Sequence, residues 1–489
     1  MRSRAALVAF LVTALAVAAG VVLRDHPSEG PQGIPGPSGT HTENGLAGFA
    51  KILCSGVFVS EREPEDVAHG SAYFFMPRDE QDRVTWTIDR EAKLARATLG
   101  DTTREARFYG DQGCIIQVSD LLPGEPPLIF FTPVKVTTTL PDAMTMPWPM
   151  GDAPDPSPLP EGVDREKLDA AVEAAFADPE ALTAAFLVVH KGQIVAERYR
   201  PGITKDTQLE SWSMGKSLAA TLFALLVKDG TYTLEQPAPV QAWRRPGDPR
   251  GTIRNIDLLR MSAGLRFLGN QEEGSKETYP DHYYIYTGAI DAYTYSITRP
   301  LEYPPNTDGR YRNSDPLAIG YLIRRAVFLR GEEFLTWPQR ALFDRIGIRR
   351  QVLETDPFGN FLITGYDYGT ARNWARIGLL YLQDGNWLGE RILPEGWATF
   401  VSTPAPAWRR PEYGGLFWLN RTGTWNLPPE TYFAAGAGGQ NTWIVPSHDL
   451  VIVRMGHMRG QAAARAATNT ALGLVMEAVA GSGGRGPGA

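Results

Sequence analysis

The sequence lacks the residue patterns that mark metal-binding and nucleic-acid-binding proteins. Among 489 residues only two are cysteine and seven are histidine, and they show neither an H-E-x-x-H motif nor a clustered Cys/His spacing. The formal net charge is only -7, and the lysines and arginines are scattered. The sequence therefore has no basic stripe of the kind that would indicate a nucleic-acid partner. We predict no metal, no cofactor and no nucleic-acid partner.

Long uncharged apolar stretches are also scarce, and the N-terminus provides one. Arg2 and Arg4 precede a run from Ala5 to Leu23 that ends among small residues, as in a secretory signal peptide. The run is also close to the length of about 20 residues that spans a bilayer. Residues 1–23 are therefore predicted to be a signal peptide or a membrane anchor. In either case we expect an exported protein, periplasmic or tethered to the membrane.

The two cysteines, Cys54 and Cys114, follow that targeting segment. An exported protein meets an oxidising compartment, which favours a disulfide between them. Two unpaired buried thiols are the alternative.

Composition divides the remaining chain into segments. The predicted segments are a linker (24–45), a small N-terminal accessory unit (46–133), a proline-rich linker (134–160), a main domain (161–481) and a disordered tail (482–489). The accessory unit contains strand-like runs at 84–89 and 95–99 but no recognisable chemistry. The main domain is large enough to bury a sizeable core.

Hydrophobic periodicity predicts the elements of the main domain. A helical pattern at 163–178 is followed by strand-like runs at 183–190 and 193–199, which the turn Lys191–Gly192 joins as a hairpin. Near the end, two more strand-like runs form a second hairpin before an alanine-rich helix at 462–480. Strands at both ends of the domain, with helices between them, indicate a sheet whose edges come from both ends.

A serine and a lysine three residues apart stand at the start of a predicted apolar helix. Ser213 and Lys216 lie in LESWSMGKSLAATLFALLVKDG, whose apolar residues recur at helical spacing until Gly230. Residues at this spacing share one face of a helix, so the lysine amine can reach the serine hydroxyl. The positive N-terminal end of the helix favours a serine alkoxide and disfavours a lysine cation. The pair therefore suits a nucleophile with its base.

Two other interpretations compete with that one. Ser213 could simply cap the helix while Lys216 is solvated. Gly215, Lys216 and Ser217 could also end a phosphate-binding G-x-x-x-x-G-K-[ST] loop. Glu210 and Trp212 argue against such a loop, since they place a carboxylate and a bulky ring where the backbone must wrap around phosphate.

The order of several motifs resembles the serine hydrolase superfamily of penicillin-binding proteins and class C beta-lactamases. Within it, residues 165–475 are most similar to family VIII esterases and 6-aminohexanoate-dimer hydrolases. The stretches that carry the resemblance are SMGK (213–216), YRN (311–313), AAGAGGQNTWIVP (434–446), LLRMSAGLRF (258–267) and the run 371–397. The resemblance implies an α+β fold in which an antiparallel sheet packs against helices, with the site between the sheet and an all-helical region.

The resemblance also implies a role for each motif residue. Ser213 would form an acyl-enzyme that water cleaves, with Lys216 or Tyr311 as the base. Asn313 would hydrogen-bond the lysine or the substrate amide. Backbone N–H groups of Ser213 and Ala437, beside Gly436, would bind the oxyanion. Tyr311 could instead be one more packing tyrosine.

Tyrosine is concentrated between Tyr279 and Tyr311, which hold eight of the 18 tyrosines in the chain. Because tyrosine offers apolar area with a polar tip, we expect an ordered loop that lines the acyl or leaving-group site. A surface excursion stabilised by its own stacking is the alternative.

The third motif, AAGAGGQNTWIVP (434–446), departs from the family pattern K-T-G or H-x-G, in which lysine or histidine stands at the head of the motif. Ala434 and Ala435 stand there instead, so no cation is available to pair with the carboxylate of a penicillin. We predict a serine hydrolase that cleaves small esters or linear amides. The alternatives are a cell-wall DD-peptidase or beta-lactamase-type enzyme, and a peptidoglycan-binding module without turnover.

Overall fold

The computed structural model describes residues 36–117 and 129–482. The predicted targeting segment, most of the first linker and nearly all of the tail lie outside the described residues. None of the described helices is long and apolar enough to cross a membrane. Within the same ranges, no group of three His, Cys, Asp or Glu residues is arranged to hold a metal ion.

The N-terminal segment folds as helices against a small sheet. It contains α1 (His41–Phe58), α2 (Pro64–Gly70), β1 (Thr85–Asp89), β2 (Leu94–Leu99), β3 (Thr102–Phe108) and β4 (Cys114–Ile116). The four strands form an antiparallel sheet in chain order. Thr40 and Glu43 form a capping box that fixes the start of α1. This helix thus begins inside the stretch 24–45 that was predicted as a linker.

The central sheet has six strands in the order β12-β13-β14-β15-β5-β6, all antiparallel. Its strands are β5 (Thr183–His190), β6 (Gln193–Tyr199), β12 (Trp418–Leu419), β13 (Tyr432–Gly436), β14 (Gln440–Val445) and β15 (Leu450–Gly456). One edge strand, β6, comes from the start of the domain and the other, β12, from its later part, which confirms that the edges come from both ends of the domain. Both predicted hairpins are present.

Helices cover both faces of the central sheet. Along β5, Phe186 and Val188 point into a core with α3 (Arg165–Phe176) and α11 (Gln461–Val479). The alternate residues, including Leu187 and Val189, point into the larger core on the opposite face. A strand buried on both faces must be apolar throughout, which explains the continuous run TAAFLVVH.

The other face carries a helical region, in which the motifs SMGK (213–216) and YRN (311–313) lie at the starts of two helices. Its helices are α4 (Met214–Lys228), α5 (Asn255–Leu259), α6 (Asp281–Thr287), α7 (Ala292–Ile297), α8 (Ser314–Leu329), a π-helical turn (Gln339–Phe343), α9 (Ala371–Leu382) and α10 (Trp397–Ser402). The short strands beside them are β7 (Leu209–Glu210), β8 (Val352–Leu353), β9 (Asp367–Gly369), β10 (Asn386–Trp387) and β11 (Glu390–Arg391). The predicted α+β fold is confirmed.

Helix α1 belongs to the same core as the helices on this face of the sheet. Its residues Leu46 and Phe49 share one buried cluster with Leu218 of α4. Lys51, which is 1% exposed, pairs with the fully buried Glu354. Ser55 also donates to Glu354, at 2.8 Å. An unpaired charge in such a place would be costly, so each segment supplies the polar partner that the other requires.

The proline-rich stretch 134–160 has irregular backbone that is fastened to α9. Arg376, 2% exposed, donates to the carbonyl oxygens of Pro149 and Gly151 at 2.7 and 2.9 Å, and to Asp152 at 2.7 Å. The stretch 134–160 therefore packs along the surface of the main domain, because the buried guanidinium group of Arg376 binds its backbone carbonyl groups.

Cys54 and Cys114 form a disulfide, which confirms the favoured pairing. The bridge joins α1 to β4 across 60 residues. In the chain-entropy model a disulfide that closes a loop of that length stabilises the fold by about 4 kcal/mol.

We expect reductant to lower the free energy of unfolding in urea by roughly that amount. A Cys54→Ala/Cys114→Ala variant should show a similar loss and no further response to reductant; equal stability of oxidised and reduced wild type would contradict the prediction.

Candidate active site

Ser213 lies at the N-terminus of α4, directly after a residue in the left-handed backbone region. Trp212 has φ of 48°, which turns the chain from β7 into the helix. The Ser213 side chain makes no capping hydrogen bond with its own helix, unlike a serine selected for capping. It is also partly exposed, whereas its neighbours Trp212 and Met214 are buried. The hydroxyl is therefore available to another group.

That group is Lys216, as the spacing predicts. Its Nζ donates to Ser213 Oγ at 2.8 Å and to the carbonyl oxygen of Thr364 at 3.0 Å. Lys216 is 1% exposed, and burial lowers the pKa of its amine well below the usual value. The Asp367 carboxylate acts in the opposite direction on this pKa. Burial dominates, so the amine is poised to be neutral and to accept a proton.

Asp367 was not singled out by the sequence, yet it lies close to the lysine. Burial raises the pKa of its carboxyl to about 8, although a hydrogen bond from Gln351 Nε2 at 3.2 Å lowers it. Its Oδ1 is buried without a described hydrogen-bond partner. A carboxyl group with this pKa is largely protonated at neutral pH. It therefore does little to hold Lys216 in its cationic form.

Tyr311 completes the predicted catalytic group. Lys216 Nζ lies 4.8 Å from the centroid of its ring. Burial raises the pKa of the Tyr311 phenol, and a hydrogen bond with Ser213 lowers it by less. The ring stacks on Trp418, with centroids 5.3 Å apart. The structure thus brings Ser213, Lys216 and Tyr311 together, with a lysine shifted toward its neutral form and a phenol kept protonated.

Asn313 is fully buried immediately before α8. Its Nδ2 donates to the carbonyl oxygen of His282 at 2.9 Å, while its Oδ1 has no described hydrogen-bond partner. Lys216 uses Ser213 and Thr364 as partners instead of Asn313. The structure thus shows no hydrogen bond between Asn313 and Lys216, and a contact of Asn313 with the substrate amide stays a prediction.

Gly436 ends β13 against the backbone of the nucleophile. A Cβ atom at this position would lie 2.2 Å from the carbonyl oxygen of Ser211 and 3.1 Å from the backbone nitrogen of Ser213. Only glycine permits this approach. Ala437, the predicted oxyanion donor, follows at the start of the turn to β14 and is partly exposed. Its contact with an oxyanion stays a prediction.

His282 is a neighbour of the site that the sequence analysis did not select. Its ring centroid lies 6.4 Å from that of Tyr311, and its Nδ1 is buried without a described partner. Burial lowers the pKa of this imidazole to about 3, and a protonated Lys216 would act in the same direction. A neutral histidine leaves the positive charge near Lys216 low, which supports a neutral amine.

The tyrosine-rich stretch was expected to be an ordered loop, and that prediction is wrong for its first half. Residues 281–297 contain the helices α6 and α7, and four of the eight tyrosine rings are buried in the core. The buried tyrosines are Tyr279, Tyr284, Tyr286 and Tyr293. The Tyr286 hydroxyl donates a hydrogen bond to Thr364 Oγ1 at 2.9 Å. The tyrosine-rich stretch thus positions Thr364, whose carbonyl oxygen accepts the hydrogen bond from Lys216.

A family model described as Beta-lactamase matches residues 168–476. The chain belongs to the beta-lactamase family. This confirms the resemblance drawn from the sequence motifs, and it makes the chain a serine hydrolase. The match spans α3 to α11 and leaves out the N-terminal segment described above.

Individual members of the beta-lactamase family are similar to the chain at low identity. A 6-aminohexanoate-dimer hydrolase of Paenarthrobacter ureafaciens is 24% identical over an alignment of 292 residues, which covers 56% of this chain and 73% of that protein. A structure of a putative 6-aminohexanoate-dimer hydrolase from Bacillus anthracis has a TM-score of 0.51 at 18% identity, covering 70% of this chain and 88% of its own. A family VIII carboxylesterase structure has a TM-score of 0.46 at 15% identity, covering 63% and 97%.

Proposed function

We propose that the protein hydrolyses small carboxylic esters or linear amides through an acyl-enzyme on Ser213. The observation that carries the proposal is the 2.8 Å hydrogen bond from Lys216 Nζ to Ser213 Oγ. Burial lowers the pKa of this amine, so that a neutral lysine can take the hydroxyl proton as oxygen attacks the substrate carbonyl.

The second group beside the serine has a complementary task. Tyr311 is kept as a protonated phenol by burial. It can donate its proton to the leaving group and recover one from Lys216, whose Nζ lies 4.8 Å from the centroid of the Tyr311 ring and hydrogen-bonds Ser213. Lys216 is thus the favoured base, and Tyr311 the favoured acid. Water then attacks the acyl-enzyme by the reverse sequence of proton transfers.

The substrate class follows from the residues along β13. Ala434 and Ala435 pair with Thr442 and Asn441 of β14, so the strand offers no charge beside Gly436. The guanidinium group of Arg454 reaches the turn between β13 and β14, but it is fully buried. It donates to the carbonyl oxygens of Gly438 and Ala181, at 2.6 Å each. It is therefore occupied by main-chain acceptors.

We expect short-chain p-nitrophenyl esters or linear aminohexanoate amides to be cleaved with higher kcat/KM than nitrocefin or penicillin G. A charge-assisted hydrogen bond to a beta-lactam carboxylate contributes about 1.5 to 3 kcal/mol, and its loss corresponds to roughly 10- to 150-fold. Steady-state kinetics on one enzyme preparation measures the ranking. Nitrocefin turnover above that of every ester and linear amide tried would contradict it.

The similarity to a hydrolase named for the 6-aminohexanoate dimer supports a linear amide among the substrates.

We also propose that the enzyme is exported, because its N-terminus carries a run of apolar residues typical of a targeting segment. Protease protection of intact cells, followed by detection of the chain, tests that location.

A further inference from the structure

A cavity of about 870 Å³ lies between the N-terminal segment and the start of α11. The N-terminal segment, which forms one wall of the cavity, lies outside the residues matched by the family model. The residues that determine the character of the cavity are Tyr73, Phe74, Arg78, Met458, Arg459 and Arg465. The cavity thus combines a part of the chain outside the family domain with a helix inside it.

The cavity has an apolar floor and a cationic rim. Met76 and Met458 are 3% and 6% exposed, so the floor consists of flexible apolar side chains. Arg78, Arg459 and Arg465 are exposed at its edge. None of the three has an ion pair or a hydrogen bond with any residue that the structure describes. By contrast, the remaining basic group on the rim, His69, lies 3.6 Å from a carboxylate oxygen of Glu65.

This cavity adjoins the predicted oxyanion site. Gln461, which lines it, accepts a hydrogen bond at 2.9 Å from the N–H of Gly438, in the turn that follows Gly436. The ring of Phe74 lies 5.7 Å from that of Trp212, the residue before the nucleophile. A second cavity of about 320 Å³ is lined by Gly436 and also by Gln461 and Arg465. The two cavities therefore meet at the same two side chains of α11.

We propose that the cavity binds the carboxylate end of a linear substrate whose scissile carbonyl lies at Ser213. The apolar floor suits a methylene chain, and the three unpaired guanidinium groups suit an anion at its end. This inference rests on the proposed function and narrows its substrate class to linear esters or amides with a free acid. The cations of this site lie on α11 and on the N-terminal segment, whereas the third motif itself provides none at Ala434 and Ala435.

The test compares two substrates that differ only in the terminal charge. These are the mono-p-nitrophenyl ester of adipic acid and its neutral methyl p-nitrophenyl diester. The readout is the ratio of kcat/KM for the acid to kcat/KM for the diester. Each of Arg78→Ala, Arg459→Ala and Arg465→Ala is expected to lower this ratio about 2- to 5-fold, as for partly solvated ion pairs. The triple variant should lower it roughly 10- to 100-fold, and Arg465→Lys should retain most of it.

Arg90→Ala is the matched control, because Arg90 is an exposed arginine of the same N-terminal segment that does not line the cavity. It should leave the ratio unchanged. A triple variant with the wild-type ratio, or one that loses both activities equally, would overturn the inference while leaving the proposed function intact. If the wild type cleaves neither ester, the proposed function itself fails. High salt should lower the wild-type ratio toward that of the triple variant.

Discussion

Ser213→Ala is expected to reduce kcat for any accepted ester by roughly four to six orders of magnitude. The substitution removes the nucleophile, and no other hydroxyl takes its place next to Lys216 Nζ in the described contacts. Because the Ser213 side chain does not cap α4, the fold should persist. Initial rates with p-nitrophenyl butyrate, together with circular dichroism, measure both expectations.

The matched control for this variant is Ser402→Ala, at the end of α10. Ser402 Oγ donates to the carbonyl oxygen of Thr399 at 3.3 Å, outside the site, so its loss should leave the rate near that of the wild type. A fluorophosphonate probe should label the wild type and the Ser402 variant but not the Ser213 variant. Retention of more than about a tenth of the activity by Ser213→Ala would show that Ser213 is not the covalent nucleophile.

Lys216→Ala and Tyr311→Phe are each expected to lower kcat about 10²- to 10⁴-fold, and the double variant only slightly more than the worse of the two. Both residues interact with the same serine hydroxyl, and groups that share one proton transfer act as a unit. The measurement is a double-mutant cycle on kcat, with the rate of fluorophosphonate labelling as a second readout. Losses that multiply would instead indicate independent roles.

Lys205→Ala and Tyr303→Phe provide the controls, since both residues lie at the surface and contact neither Ser213 nor Lys216. The wild-type pH profile adds a further check. A protonated amine cannot accept the serine proton, so activity should be lost as pH falls through the lowered pKa of Lys216 and should be maintained above it. Loss of activity only near the usual pKa of lysine would mean that burial does not tune this group.

Local sequence patterns predicted much of the fold because they depend on neighbouring residues. The serine and lysine at positions 213 and 216 share a face of α4, and the alternation in β5 and β6 predicts their hairpin. The motif order indicated the family, which requires no knowledge of packing. The disulfide followed from the count of cysteines in a chain that was predicted to be exported.

Contacts between distant positions could not be predicted in the same way. Thr364 and Asp367 reach Lys216 from about 150 residues further along the chain, and no pattern near either residue marks them. The tyrosine-rich stretch was misassigned for a related reason. Its rings are buried against other elements, such as Tyr286 against Tyr366, so its short helices depend on tertiary packing rather than on a long apolar period.

The buried pair of Lys51 and Glu354 has a consequence for grafting the N-terminal segment onto another family domain. Glu354 lies within the family domain, whereas Lys51 lies before it. A recipient domain with an apolar residue at this position would leave the Lys51 amine buried without its carboxylate partner. The amine would then lose its proton or the graft would be destabilised. An exchange of this segment between family members therefore has to include the residue that faces Lys51.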